Sequence, residues 1–191
     1  MRGHSAAIYD LIVAGWLLRR LYRVIADGLA ATSAPDAAIL DVGTGPGRLV
    51  LQLAQRRPDL HLAGVDPSED MIRRARRHAD TAAADGRVDF RVAGTETLPF
   101  PDDTFDVVVS TLSAHHWADP AIAVPEQARV LRPGGELRIY DLRREGLADL
   151  APLMTSALGS QVFKDREPLG GMLGARIGLL TGVKPVIADP E

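Results

Sequence analysis

A short apolar run that ends near an acidic residue and leads into three alternate glycines constrains the fold of this chain most. The run is Ile39-Leu40-Asp41-Val42, and Gly43, Gly45 and Gly47 follow it directly. The apolar residues predict a buried strand, and the residues from Leu49 onward predict a helix. The glycines predict a tight turn between them, where the backbone can adopt positive φ and a ligand can approach closely. We therefore expect a ligand-binding turn at the carboxyl end of this strand.

Short apolar segments alternate with helical patterns through most of the chain. Five strands are predicted: Ala38–Val42, His61–Val65, Val88–Val92, Phe105–Thr111 and Glu136–Tyr140. Strands that alternate with helices imply right-handed βαβ units and an α/β fold with a doubly wound, mostly parallel sheet. A helix is predicted to precede them, from about Ser5 to Ala31, by apolar residues at three- and four-residue spacing. Its apolar run from Ala6 to Leu18 is too short to span a bilayer.

Length and composition restrict the function classes. We expect one domain over the 191 residues, with a helical cap at 1–35, a binding core at 36–145 and an atypical segment at 146–191. The net charge of −3 gives no general attraction to nucleic acid, and none is expected as a partner. The absence of cysteine excludes disulfides and thiolate metal sites. No signal peptide is visible, so a cytoplasmic location is expected.

Four segments in chain order resemble the motifs of one family. The segment Asp41–Gly47 reads D-x-G-x-G-x-G, and Asp66–Met71 reads D-x-S-x-x-M. The segment Val92–Phe100 is similar to V-G-D-A-E-x-L-P-F, and Val130–Leu137 matches a later segment. These are motifs of class I S-adenosylmethionine (SAM)-dependent methyltransferases, which have a Rossmann-like fold. The resemblance covers about Ala38 to Asp141 and is closest to small-molecule methyltransferases of the ubiquinone/menaquinone-biosynthesis type.

The resemblance implies SAM as methyl donor, S-adenosylhomocysteine as product, and a set of contacts. The turn would wrap the amino-acid end of SAM, Asp41 would face its ammonium group, and Asp66 would accept hydrogen bonds from the ribose hydroxyls. The implied cofactor-binding residues are Tyr9, Asp41, Gly43, Thr44, Gly45, Gly47, Asp66, Pro67, Met71, Gly94, Thr95, Glu96 and Ser110.

One of these positions departs from the family pattern. The adenine-binding aspartate of the family falls on Gly94, which has no carboxylate. Thr95, Glu96 or backbone groups are the candidates to replace it. Met71 would pack on the adenine, although a methionine on a helix is also an ordinary core residue.

Two adjacent histidines are the candidates for catalysis. His115 and His116 follow the fourth strand, where related enzymes transfer the methyl group. A base is needed only when the acceptor must lose a proton, and histidine suits that role near neutral pH. The alternative is a histidine that only packs or bonds to the backbone. No metal site is expected, because no acidic or histidine partner lies at helical spacing.

The C-terminal region departs from the family sheet of seven strands. Residues 179–187 are interpreted as a helix end and the start of the sixth strand, which leaves no residues for the seventh. The expected C-terminal strand pair is therefore incomplete. An unpaired fifth strand would need cover from the C-terminal segment or from a second subunit, which makes a homodimer an option. The glycine-rich segment 159–178 would be a substrate lid or a mobile stretch.

The predicted function is methyl transfer from SAM to a small-molecule acceptor, and two alternatives stay open. One is a protein that binds SAM without catalysis, which Gly94 and the short C-terminal region favour. The other is an NAD(P)-binding oxidoreductase, which would share Asp66. Arg48 stands where the dinucleotide fingerprint has its last glycine, and this disfavours the second alternative.

Overall fold

The computed structural model describes residues 3–82, 84, 86–142, 144–168 and 176–186, and their side chains except at 3–14, 144, 145, 166–168 and 176. The helices are α1 (Gly3–Thr32), α2 (Arg48–Arg56), α3 (Glu69–Thr81), α4 (Pro120–Val130) and α5 (Arg144–Leu158), with a 3₁₀ turn at Ala114–His116. The strands are β1 (Ala38–Val42), β2 (His61–Asp66), β3 (Val88–Val92), β4 (Phe105–Thr111), β5 (Leu131–Asp141), β6 (Val162–Pro168) and β7 (Arg176–Val183).

The strands form one sheet in the order β3-β2-β1-β4-β5-β7-β6. The first five pair in parallel, and β7 pairs antiparallel with both β5 and β6. The order reverses between β1 and β4, so the carboxyl ends of these two strands form the switch point where ligands of such sheets bind. The predicted α/β, doubly wound architecture is confirmed.

The expected incomplete C-terminal strand pair is wrong. Residues 176–183 form β7, which pairs with β5 from Glu136↔Val183 to Asp141↔Gly178, and β6 covers the outer edge of β7. Part of the segment interpreted as a lid is therefore strand. The edge of β5 is paired within the chain and needs no second subunit. The sequence pattern misses β6 because that edge strand is mostly charged, and it misses β7 because two glycines interrupt its apolar residues.

Two apolar layers enclose the sheet. One face packs against α1, α2 and α3, and the other packs against α4 and α5. Neighbouring residues of β1 point to opposite layers, with Ile39 in the first and Leu40 in the second, and both are fully buried. Burial on both faces explains why the central strands have continuous apolar sequences. No helix in the described part of the chain combines the length and apolar character needed to cross a membrane.

Candidate active site

The glycine turn lies at the carboxyl end of β1 and is fixed by backbone bonds to β2. The amides of Gly43 and Thr44 both donate to the carbonyl of Val65, each over 2.9 Å. Gly47 has a φ of 78°, and a Cβ at this position would lie 2.8 Å from the ring of Phe90. Only glycine satisfies both conditions, so α2 can begin directly beneath the turn. Gly45 has a φ of 53° and faces open space, where a ligand can reach the backbone.

Asp66 ends β2 beside this turn, and its carboxylate is held in place by two backbone amides. Oδ2 accepts from the amide of Gly45 over 2.9 Å, and Oδ1 accepts from the amide of Ser68 over 2.9 Å. The Ser68 side chain in turn caps α3 by accepting from the amide of Met71. A carboxylate offers about four lone-pair positions, so each oxygen can still accept a further bond. Asp66 is thus pre-oriented to receive two hydroxyl groups.

Asp41 and Thr44 carry buried oxygens that lack partners. Asp41 is 2% exposed, and neither its Oδ1 nor Oγ1 of Thr44 has a hydrogen-bond partner among the described residues. Burial raises the pKa of Asp41 to about 7, and the charge of Asp66 adds to the shift. Orphaned buried oxygens call for a bound donor, either a ligand or an ordered water. This pair of acceptor oxygens fits the ammonium end of SAM, which donates hydrogen bonds.

The segment after β3 shows how the chain accommodates Gly94. A Cβ built at Gly94 would lie 2.9 Å from Oε2 of Glu96. The half-buried Glu96 carboxylate therefore occupies the space into which a side chain at position 94 would begin to extend. Thr95 between them is buried and offers a hydroxyl, which carries no charge. Of the candidates for the missing carboxylate, Glu96 is the acidic one, and its carboxylate lies beside position 94.

The loop after β4 is tied to the glycine turn. Leu112 has a φ of 57°, which bends the chain sharply where the strand ends. A Cβ at Gly43 would collide with the side chain of Ser113, so the two loops pack in contact. The Ser113 hydroxyl donates to the carbonyl of Val42 over 3.0 Å and shares a 2.6 Å bond with Ser110. Ser110 is fully buried and fixes this junction.

The two histidines differ in their surroundings. Nδ1 of His115 lies 2.8 Å from Oδ2 of Asp141, which is 2% exposed at the end of β5. A carboxylate can only accept this bond, so a neutral His115 ring carries its proton on Nδ1 and has its lone pair on Nε2. The ring of His116 packs on that of His115, with centroids 4.0 Å apart, and neither histidine is buried. The geometry favours His115 as the base.

A cavity of about 940 Å³ opens beside His115, between the 3₁₀ turn, α4 and α5. Its lining includes Asp141, Trp117 and leucines of α5. Sequence reasoning missed Asp141, because it considered the loops after the first four strands only. The carboxyl end of the fifth strand carries Tyr140-Asp141, and the same rule applied there would have indicated the aspartate.

The remaining predicted contacts stay predictions. Pro67 is exposed beside Asp66, and Met71 is half-buried in the first turn of α3. Tyr9 lies in α1, but its side chain falls outside the part that the structure describes.

Comparison with known proteins places the chain in context. The family model described as "Methyltransferase domain" matches residues 40–139. The ubiquinone/menaquinone biosynthesis C-methyltransferase of Geotalea daltonii is 34% identical over 109 residues, which are 56% of this chain and 46% of that protein. The 27-O-demethylrifamycin SV methyltransferase of Amycolatopsis mediterranei is 40% identical over 103 residues, which are 54% of this chain and 38% of that protein. The chain thus spans less than half the length of these two relatives.

One solved structure shows the fold over nearly the whole chain. It is a protein of Methanococcus maripaludis, provisionally assigned as an S-adenosyl-L-methionine-dependent methyltransferase. The two chains superpose with a TM-score of 0.78 at 19% identity, over 97% of this chain and 95% of that one. This likeness supports the overall fold described above.

Proposed function

The chain belongs to the methyltransferase-domain family, and we propose that it transfers the methyl group of SAM to a small-molecule acceptor. The observation that carries the proposal is the placement of two complementary half-sites at one edge of the sheet. The glycine turn with Asp41 and Asp66 forms one half, and His115 with Asp141 forms the other. Ser113, two residues before His115, joins them by packing on Gly43.

The first half-site would hold the methyl donor. Asp41 and Thr44 would face its ammonium group, Asp66 its ribose hydroxyls, and Glu96 its adenine amino group. When bound, SAM supplies a methyl carbon on a positively charged sulfur, so an acceptor lone pair forms the new bond to carbon while the carbon–sulfur pair returns to sulfur. The protein contributes alignment and exclusion of water in such a displacement.

The second half-site would manage the proton of the acceptor. Asp141 accepts from Nδ1 of His115, so Nε2 can receive the proton that the acceptor loses. Asp141 would also stabilise the imidazolium that results. We propose His115 as the general base and Asp141 as its positioning residue, and His116 has the weaker case.

Calorimetric titration with SAM, S-adenosylhomocysteine and NADH tests the donor half. Micromolar binding of the first two and none of NADH is the expected result. The Asp66→Ala variant should bind S-adenosylhomocysteine more weakly by about 1–3 kcal/mol, because charge-assisted hydrogen bonds to the ribose are lost. Asp80→Asn, an exposed change on α3, is the matched control and should bind normally. Selective binding of NADH would replace the proposal with an oxidoreductase.

The proposal also covers the kind of methyl acceptor and the cellular location of the protein. The net charge of −3 supports a small molecule over a nucleic acid as acceptor. A cytoplasmic location is proposed on the sequence grounds given above.

A further inference from the structure

The cavity beside His115 carries a chemical signature of its own. Its apolar walls come from two sides: Trp117 follows the 3₁₀ turn, and Leu147, Leu150 and Leu153 stand on one face of α5. Leu147 and Leu150 are buried from solvent. Leu153 and Trp117 are half-buried. A volume of about 940 Å³ lies within the range that holds drug-sized ligands. The walls therefore suit an apolar ligand of one or more rings.

Apart from His115, the acidic or basic side chains among the described residues that line the cavity are all aspartates. Asp119, Asp141 and Asp149 line it, and no lysine or arginine does among the residues that the structure describes. Asp119 is occupied in capping α4, where it accepts from the amide of Ala121, and Asp141 accepts from His115. A carboxylate or phosphate on a ligand would meet these acids without a described basic partner, which disfavours its binding.

The position of the base indicates which group reacts. His115 lines the cavity, and its Nδ1 is engaged by Asp141, so Nε2 is the atom that can accept a hydrogen bond from a ligand. A neutral amine already offers a free lone pair and needs no base beforehand. A hydroxyl must give up its proton as its oxygen gains a carbon, and it donates a hydrogen bond to such a base in the ground state.

We propose that this cavity is the acceptor site, and that it takes an uncharged apolar or aromatic molecule whose reacting group is a hydroxyl, in preference to one that carries a carboxylate or phosphate. The role of the cavity as an acceptor site rests on the proposed methyl transfer. The binding selectivity itself needs no methyl donor, so the two can fail separately.

The test uses Trp117 as a local reporter. The chain has two tryptophans, and Trp16 lies exposed on α1, so the Trp16→Phe variant leaves Trp117 as the single tryptophan fluorophore. Three nitroaromatic quenchers share one ring and differ in one substituent: 4-nitrotoluene, 4-nitrobenzyl alcohol and 4-nitrobenzoate. Each is titrated into the Trp16→Phe protein, and a dissociation constant is taken from saturable quenching.

We expect the alcohol to bind about three- to tenfold more tightly than 4-nitrotoluene, the size of one net hydrogen bond. We expect 4-nitrobenzoate to bind at least about tenfold more weakly than the alcohol. In His115→Phe or His115→Leu on the same background, checked for an unchanged unfolding midpoint, the preference for the alcohol should disappear, because neither side chain offers an acceptor. Asp149→Lys should strengthen benzoate binding, while Asp80→Lys, the same charge change on α3, should leave it unchanged.

Three results would overturn the proposal. They are equal or tighter binding of the benzoate, an alcohol preference that survives both His115 substitutions, and the lack of saturable quenching by all three probes. Calorimetry with SAM on the same preparation reports separately on the methyl-donor half-site.

Discussion

At the scale of single residues, Asp41 combines a functional position with an energetic cost. Its carboxyl group is buried, Oδ1 has no partner among the described residues, and its pKa is raised to about 7, chiefly by burial. The nearby Tyr22 shares this setting: burial and the charge of Asp41 raise its pKa to about 12, and Arg48 opposes the shift. A buried carboxyl group whose Oδ1 lacks a partner points to a ligand that supplies one.

The cost of this charge depends on pH. A carboxyl whose pKa is higher in the folded than in the unfolded chain favours folding at low pH, and this contribution is lost as pH rises through about 7. Asp41→Asn removes the ionisation, so the variant should be more stable than the parent at pH 8 by about 2–4 kcal/mol, a gap that narrows toward pH 5. Urea unfolding at both pH values measures the gap. A variant that is equally destabilised at both pH values would contradict this account, and weaker SAM binding should accompany the gain in stability.

Gly94 and Glu96 allow a test by exchange. If Glu96 supplies the carboxylate that the family pattern has at position 94, Glu96→Ala should weaken S-adenosylhomocysteine binding by about 1–3 kcal/mol. Gly94→Asp in that background should restore much of the loss, because the introduced carboxylate would fill the space that Glu96 vacates. In the parent chain, the Cβ that Gly94→Asp introduces would meet Oε2 of Glu96. That single variant should therefore not bind S-adenosylhomocysteine more tightly than the parent. Calorimetry on the three variants decides the matter, and failure of the double variant to recover would leave Glu96 without this role.

At the scale of elements, α4 holds the loop that follows β3. The guanidinium of Arg129 donates to the carbonyls of Phe100 and Leu98 over 3.0 and 3.2 Å, and it also pairs with Glu126. Glu126 accepts from the amide of Leu98 over 2.7 Å, and the Arg129 hydrogen bond lowers the pKa of Glu126. The helix thus binds both the donor and the acceptor groups of the loop that carries Glu96.

Arg129→Lys should loosen this attachment, because an ammonium group cannot reproduce the fork of a guanidinium. We expect a loss of about 1–3 kcal/mol in the free energy of unfolding and weaker binding of S-adenosylhomocysteine. Arg73→Lys is the control, since the ion pairs of Arg73 are with exposed acids on α3 and the variant should change little. Urea unfolding and calorimetry measure both effects, and equal behaviour of the two variants would contradict the anchoring role.

The elements also show how far a sequence can predict its structure. Strands β1, β2 and β4 are predictable because burial on both faces requires a mostly apolar run in the sequence, as in Val107–Val109. The Gly43–Gly47 turn is predictable because its φ values select glycine. The hydrogen bond between His115 and Asp141 is not predictable in this way. It joins residues 26 positions apart through a strand pairing that local patterns do not encode.

At the scale of the whole molecule, the C-terminal strands shape the acceptor cavity as well as the sheet. A Cβ at Gly178 in β7 would collide with Leu147, which lines the cavity, and one at Gly182 would collide with Leu158. The glycines that make β7 a poor strand by its sequence therefore let α5 lie close on it. A pattern rule that penalises glycine in strands misses β7, because the demand for glycine comes from a distant helix.

This close packing predicts that a change from glycine to alanine affects the free energy of unfolding in opposite directions at two positions. Gly182→Ala should lower the free energy of unfolding by about 1–3 kcal/mol, because its Cβ meets Leu158 and lies 3.2 Å from Cγ2 of Val162. Gly28→Ala, in the interior of α1 with nothing within 4 Å of its Cβ, should raise it by about 0.5–1 kcal/mol, because alanine favours a helix more than glycine does. Urea unfolding of both variants gives the two values side by side. If Gly182→Ala were neutral or stabilising, α5 would not be packed on β7 as closely as described, and the inner wall of the cavity would have to be sought elsewhere.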